Sequence, residues 1–275
     1  MKALFLSLLC LLGTLGASAH AENEDSAYDR IIAKNEIVCG VFPWEPYKVY
    51  NPITKEWSGF GIEIYRRAFA TLDLKITFKE LVLGNQVQDL NSGLVDAICD
   101  DGPWTMSAGK FVEYSNPVYY SIVYPYVRAD DQRFKTRADM NAKDIRFTGI
   151  DGDLSSDLSQ RLFPNATLTS MPAITSVAQL FVNVETGKAD VTLCDPAAFS
   201  VYEKTNPGKL KPLFSGNPIG KYKAVVSVKK GDFKMWNLVN QAIDNAQTFG
   251  IADEVLDGFD PDHKLLMRVR SRAEF

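Results

Sequence analysis

The spacing of apolar positions along this chain switches repeatedly between strand-like and helical patterns. Residues 36–42 (EIVCGVF) form a short, nearly continuous apolar run closed by Pro43, the pattern of a buried strand. Residues 62–72 place Ile62, Tyr65, Phe69 and Leu72 on one face of a helix. Residues 75–81 read as a second strand, 85–91 as a short helix stopped by Ser92-Gly93, and 95–99 as a third strand. The pattern then recurs: strand 144–150, helix 155–162, strand 166–170, helix 176–185 and strand 189–194. A Val-rich strand over 220–230 follows, then an amphipathic helix over 233–249 with Leu238, Val239, Ala242, Ile243, Ala246 and Phe249 on one face, capped by Gly250. Strands alternating with helices predict an α/β architecture with parallel strands.

Two segments are alike. Ser92-Gly93-Leu94-Val95-Asp96 through Asp101 and Thr186-Gly187-Lys188-Ala189-Asp190 through Asp195 each carry a Gly three residues before an Asp, and a second Asp five residues later. Two α/β lobes with matching strands account for this most simply. Asp96 and Asp190 then fall at strand starts, in structural positions, and Asp101 and Asp195 fall at strand ends. Residues 124–130 and 218–224 are the expected crossings between the lobes, and a second crossing returns the helix over 233–249 to the first lobe.

The N-terminus reads as an address. Lys2 precedes the apolar run 3–15, and Ala19-His20-Ala21 supplies a small-x-small cleavage site, so 1–21 is expected to be a secretory signal peptide. The run is too short for a membrane span of about 20 residues. The formal charge of −4, from 30 basic and 34 acidic residues, argues against nucleic acid as a partner. His20 lies in the leader, which leaves only His263; with no P-loop, G-x-G-x-x-G or C-x-x-C, no cofactor or metal is expected. A Ca²⁺ site from Asp100, Asp101 and Asp151-Gly152-Asp153 lacks the spacing of an EF-hand loop. Cys39, Cys99 and Cys194 sit in apolar strands and are expected to be buried thiols, with Cys39–Cys99 the only pair that could form.

Ordered motifs now resemble one family. Gly59-Phe60-Gly61-Ile62-Glu63 opens the first long helix, and Ser92-Gly93-x-x-Asp96-Ala97 precedes the third strand. Thr105 comes nine residues after Asp96, followed by Tyr114-Ser115-Asn116-Pro117. Gly187-x-x-Asp190-x-x-x-x-Asp195 and Val228-Lys229-Lys230-Gly231-Asp232 complete the set. In that order they resemble the periplasmic solute-binding proteins of polar amino-acid ABC transporters, solute-binding family 3. The resemblance implies a type II periplasmic-binding-protein fold: two α/β lobes with a ligand cleft between them. Lobe 1 is expected over 22–127 and 221–275, and lobe 2 over 128–220. It also implies a periplasmic, non-catalytic protein, expected to be monomeric, that delivers a small-molecule solute to an inner-membrane ABC permease.

In open α/β sheets, ligands lie beyond the carboxyl ends of strands. Here those ends hold Trp44, Asp101, Gly102, Trp104, Thr105 and Asp195, with Thr105 and Ser155 read as helix N-caps. In the family, the Thr matching Thr105 and an Arg three residues later hold the ligand carboxylate, and an Asp matching Asp195 holds its amine. This chain has Ala108 at the Arg position. An anion clamp is lost while carboxylates accumulate. Trp44, Tyr47 and Trp104 beside them suit an organic ammonium through cation–π contact. The expected ligand is therefore amine-bearing or amino-acid-like, in a cleft of net negative charge. Two other roles on this fold are a dehydratase-like enzyme and an accessory protein for a periplasmic redox enzyme or sensor.

Overall fold

The computed structural model describes residues 26–100 and 105–269; the signal-peptide expectation for 1–21 lies outside them. In chain order the elements are α1 (Ala27–Lys34), β1 (Glu36–Val41), β2 (Val49–Asn51), β3 (Glu56–Ser58), α2 (Phe60–Ala70), β4 (Lys75–Glu80), α3 (Gln86–Asn91), β5 (Ala97–Asp100), β6 (Val112–Tyr114) and β7 (Tyr119–Arg128). Then follow β8 (Arg146–Ile150), α4 (Leu154–Leu162), β9 (Thr167–Met171), α5 (Ala178–Glu185), β10 (Val191–Cys194), α6 (Pro196–Thr205), β11 (Leu210–Pro212), β12 (Gly220–Lys229), α7 (Phe233–Thr248), α8 (Ile251–Phe259) and β13 (Leu266–Met267).

The strands run β4-β1-β5-β12-β7-β10-β8-β9. At one end β4, β1 and β5 are mutually parallel; at the other, so are β9, β8 and β10. Numbered within each half, both triplets have the order 2-1-3, so the sequence repeat is a topological repeat. Each triplet is flanked by an antiparallel strand, β12 beside β5 and β7 beside β10. The central pair β7 and β12 joins the two lobes. Residues 119–123 pair with 220–224, while 124–126 of β7 already pair with β10. The first crossing thus lies ahead of its expected place at 124–130; residues 124–128 belong to the second sheet, held by β10 and β11.

The predicted faces bury. Ile62, Tyr65 and Phe69 of α2 meet Val239, Ala242, Ile243 and Ala246 of α7 in one core with Ile37 and Val226, so α7 does return to the first lobe. Phe249 departs from its predicted face: α7 ends at Thr248 and its side chain is 71% exposed. In the second lobe, Phe147, Leu158, Val191 and Leu193 fill one side of the sheet, and Ile150, Leu180, Phe181 and Val184 fill the other.

The expectation of reduced thiols is corrected for one pair. Cys39 and Cys99 form a disulfide, and Cys194 is free and buried. Cys39 lies opposite Ala97 on the parallel neighbour, and residues two apart on a strand share a face. Cys99 is therefore the diagonal neighbour of Cys39, with Cα atoms 5.8 Å apart, inside the range a disulfide spans. Strand adjacency alone does not reveal this two-residue offset.

The repeated Asp residues are structural, and they act alike. Asp96 accepts the Val38 N–H and donates its own N–H to the Val38 carbonyl. Asp190 makes the same reciprocal pair with Arg146. Gly93 and Gly187 have φ of +71° and +74°, so the glycine before each Asp provides the left-handed turn from helix into strand.

Candidate functional site

The site is built where the two sheets present their carboxyl ends to each other. After β1 the chain doubles back, with paired backbone hydrogen bonds between Trp44 and Lys48. This turn drives Tyr47 inward, 1% exposed, against the rings of Phe60 and Tyr119. The Gly59-Phe60-Gly61 motif fixes it there. Gly59 has φ +107° and a Cβ on it would lie 2.4 Å from the Tyr47 carbonyl oxygen, so only glycine fits. The Gly61 N–H then donates to that same carbonyl.

From the other lobe, β10 ends at Cys194 and Asp195 caps α6. Asp195 accepts the Ala198 N–H at 2.8 Å, with Pro196 in the first helical turn. Its two oxygens also reach across to the first lobe. Tyr47 Oη donates to one at 2.8 Å and Trp44 Nε1 donates to the other at 3.1 Å. Tyr47 Oη additionally lies 3.2 Å from Ser121 Oγ on β7. Asp195 is 2% exposed, and its hydrogen-bond donors are all neutral. Burial therefore pushes its carboxyl above the usual range, against the opposing hydrogen bonds from Ala198, Tyr47 and Trp44. Burial, and then the Asp195 charge, push the Tyr47 phenol and the Cys194 thiol well up, so both stay protonated.

Among the described residues the lobes also meet elsewhere. Met106 N–H donates to Asp157 of α4 at 2.6 Å. Gly152, at φ +77°, sits against Gly84, where a Cβ would approach Gly84 N to 3.1 Å.

Of the expected site residues, the structure brings together Trp44, Tyr47 and Asp195. Thr105 is half-buried beside Ser107, and no α-helix follows it, so it is not an N-cap of one. Ser155 is not the cap of α4 either. Asp153 caps α4, and the buried Ser155 hydroxyl accepts the Ile150 N–H. Asp101, Gly102 and Trp104 lie outside the described residues. Ala108, at the expected Arg position, packs with Phe42, Leu81 and Ile98 in an apolar cluster, so no charge stands there. Lys110 is exposed.

One charged residue of this wall was not among the expected site residues. Lys48, beside Tyr47, is 1% exposed and lines the interlobe groove, so a cation is built into this wall. Its signal was its place in Pro46-Tyr47-Lys48-Val49: one residue after a turn, within an apolar stretch. The helix α6 was also missed, although Asp195-Pro196 is a cap followed by an N1 proline. Among the described residues, no group of three or more His, Cys, Asp or Glu is placed to hold a metal.

Two lobes carrying the same strand order, linked by paired strands and meeting over a buried carboxylate, define a two-lobed α/β fold with a candidate site between its halves. The chain matches the bacterial extracellular solute-binding proteins, family 3, over residues 37–261, and belongs to that family. It is 28% identical over 142 residues to the probable ABC transporter extracellular-binding protein YckB of Bacillus subtilis (strain 168). That match covers 50% of each protein, so the chain spans about half the length of this curated relative. The structure is similar to the solute receptor for L-cysteine of Neisseria gonorrhoeae, with a TM-score of 0.74, 20% identity and coverage of 88% of this chain and 99% of that one. It is also similar to an ancestral amino acid-binding protein described as a precursor of cyclohexadienyl dehydratase. There the TM-score is 0.73 at 19% identity, covering 85% of this chain and 99% of that one. Among the described residues, no helix is long and apolar enough to cross a membrane.

Proposed function

We propose that this solute-binding protein captures a small amine-bearing or amino-acid-like solute in the periplasm and delivers it, as a monomer, to an inner-membrane ABC permease. On this reading, lobe 1 comprises 22–127 and 221–275, lobe 2 comprises 128–220, and the ligand cleft closes over Asp195. The observation that carries it is the Asp195 carboxylate. It is buried at the lobe interface, holds only neutral donors, and its pKa is raised by burial. A buried charge without a counter-ion is costly, and a ligand ammonium supplies one. Its donors come from both lobes, so a ligand bound there senses closure. The apolar surroundings of Ala108 favour ligands that do not depend on an Arg–carboxylate fork.

A thermal-shift screen of amino acids, polyamines and quaternary amines identifies the ligand class. A ligand at 100 times its Kd adds about 2.7 kcal/mol of stability. Calorimetry on wild type and Asp195→Asn then tests the site. The expected loss of binding is about 2–5 kcal/mol, because the amine loses its charged acceptor. Tight binding of a dicarboxylate such as succinate, indifferent to Asp195→Asn, would sink the proposal.

A further inference from the structure

A groove of about 480 Å³ opens between the lobes beside Trp44. Its first-lobe wall includes Trp44, Glu45, Lys48 and Tyr50 after β1, and Glu80 at the end of β4; Ile174, 84% exposed, stands on the second-lobe side. Because Trp44 Nε1 is bonded to Asp195, one indole links the Asp195 carboxylate to this groove.

Glu45 and Glu80 are exposed, and neither side chain makes an ion pair or hydrogen bond among the described residues. They come from two different elements at the carboxyl edge of the same sheet, where Val41 lies opposite Glu80. Lys48 lies buried within the same wall and has an interaction of its own, so the described lining holds two carboxylates to one ammonium. The rest of the lining is largely apolar, with the aromatic side chains of Trp44 and Tyr50 and the aliphatic Val82, Leu83 and Val177. Such a groove suits an alkyl chain that ends in a cation, since aromatic faces attract ammonium groups without adding charge. It also favours this end group over a carboxylate, which the two glutamates repel.

From this arrangement we infer that the solute is dicationic: an alkyl diamine or a longer polyamine, with one ammonium at Asp195 and the second in the groove served by Glu45 and Glu80. The inference rests on the amine-binding reading of Asp195. A monoamine uses Asp195 and leaves the groove carboxylates unpaired. A diamine with a flexible alkyl spacer runs along the indole and pairs with both ends. Closure of the second lobe then removes water from the groove, which strengthens the charge pairing.

The test is calorimetry on the mature chain with two probes of equal length, cadaverine and n-pentylamine. The wild type is expected to prefer cadaverine by about tenfold, the size of one added cation contact of this kind. This preference falls with added salt, because the groove carboxylates are exposed. In the double variant Glu45→Gln/Glu80→Gln the cadaverine-to-pentylamine ratio is expected to fall to within about twofold of unity. Both positions are exposed, and a thermal melt confirms that the variant is folded. Equal affinity for the two probes in the wild type, or a tenfold preference that survives in the double variant, overturns the second cation site and leaves the Asp195 reading standing. Failure of both probes to bind, with an acidic solute bound instead, overturns both readings together.

Discussion

The entries to β5 and β10 are the same construction reinforced in two different ways. In each, an Asp after a left-handed Gly exchanges two hydrogen bonds with the backbone of the neighbouring first strand, Val38 in one lobe and Arg146 in the other. Beyond that frame they diverge. Asp96 has one guanidinium, Arg30 at 2.6 Å. Asp190 has three, from Arg128, Arg133 and Arg146. One residue after Val38 or Arg146 and three past the Asp, the first lobe carries the disulfide Cys39–Cys99; the second has Phe147 and Leu193, buried in one apolar cluster. A shared backbone solution therefore leaves side-chain stabilisation free to differ: a covalent link in one lobe, ion pairs and packing in the other.

This contrast gives its largest effect at the disulfide. Cys39 and Cys99 are 60 residues apart, and closing a loop of that size constrains the unfolded chain by about 4 kcal/mol in the chain-entropy treatment. Cys39→Ala/Cys99→Ala should lose stability of that order in denaturant unfolding, and reductant should do the same to the wild type. A loss below about 1 kcal/mol would show that packing alone holds the first lobe. Asp190→Asn comes next. Removing one partner of a buried pair costs about 3–5 kcal/mol, but these arginines are partly exposed, so about 2–3 is expected. Asp96→Asn, with its single Arg, should cost about 1–2 kcal/mol.

The pH dependence of Asp190 sharpens the point. Burial alone would raise its carboxyl pKa, but hydrogen bonds from Arg146 and Arg133 outweigh burial and hold it well below the usual carboxylate range. A depressed folded pKa gives stability that is present above the unfolded value of about 3.9 and lost as pH falls below it. The gap between wild type and Asp190→Asn should therefore be full at pH 6 and narrow progressively below about pH 4 in urea titrations. A constant gap across this range would mean that the arginines do not act through charge.

The repeat was legible in the sequence because spacing records topology. Gly93 to Asp96 and Gly187 to Asp190 share one turn geometry, which only glycine allows cheaply, so the pattern survives in both halves. The amphipathic faces of α2 and α7 were legible for the same reason: burial on one side imposes a period. Tyr47 and Asp195 were recognised as site residues, but their mutual hydrogen bond was not, since nothing local in either segment encodes a contact across 148 positions. The disulfide needed strand register, which sequence leaves open within a few residues. The short strands β2, β3, β6, β11 and β13 carry too few alternations to show a period; each is held by its partner strand.

The smallest expected effect separates the two aspartates that bracket β10. Among the described residues, Asp190 opens the strand with three guanidiniums; Asp195 closes it with four neutral donors, the Cys194 thiol included. Their carboxyl pKa values move in opposite directions, down for Asp190 and up for Asp195. For an acid whose folded pKa is raised, the folded state binds the proton more tightly than the unfolded chain. Its contribution to stability is then greatest below the unfolded value of about 3.9, and is lost as pH rises through the folded pKa. The ionised form of Asp195 is a liability in the ligand-free protein, because burial disfavours its charge. Asp195→Asn removes that charge and keeps an acceptor for Tyr47 and Ala198, at the cost of the Trp44 hydrogen bond and the weaker one from the Cys194 thiol. The ligand-free variant is therefore expected to unfold at the wild-type temperature or higher at pH 7.5, by up to about 1 kcal/mol, even as it loses amine binding. At pH 3.5, with the wild-type carboxyl largely protonated, the advantage should vanish. Calorimetric melts at the two pH values decide the matter. A variant destabilised by more than about 2 kcal/mol at pH 7.5 would mean that Trp44 and Tyr47 already compensate the charge, and that Asp195 holds the lobes together without needing a cation.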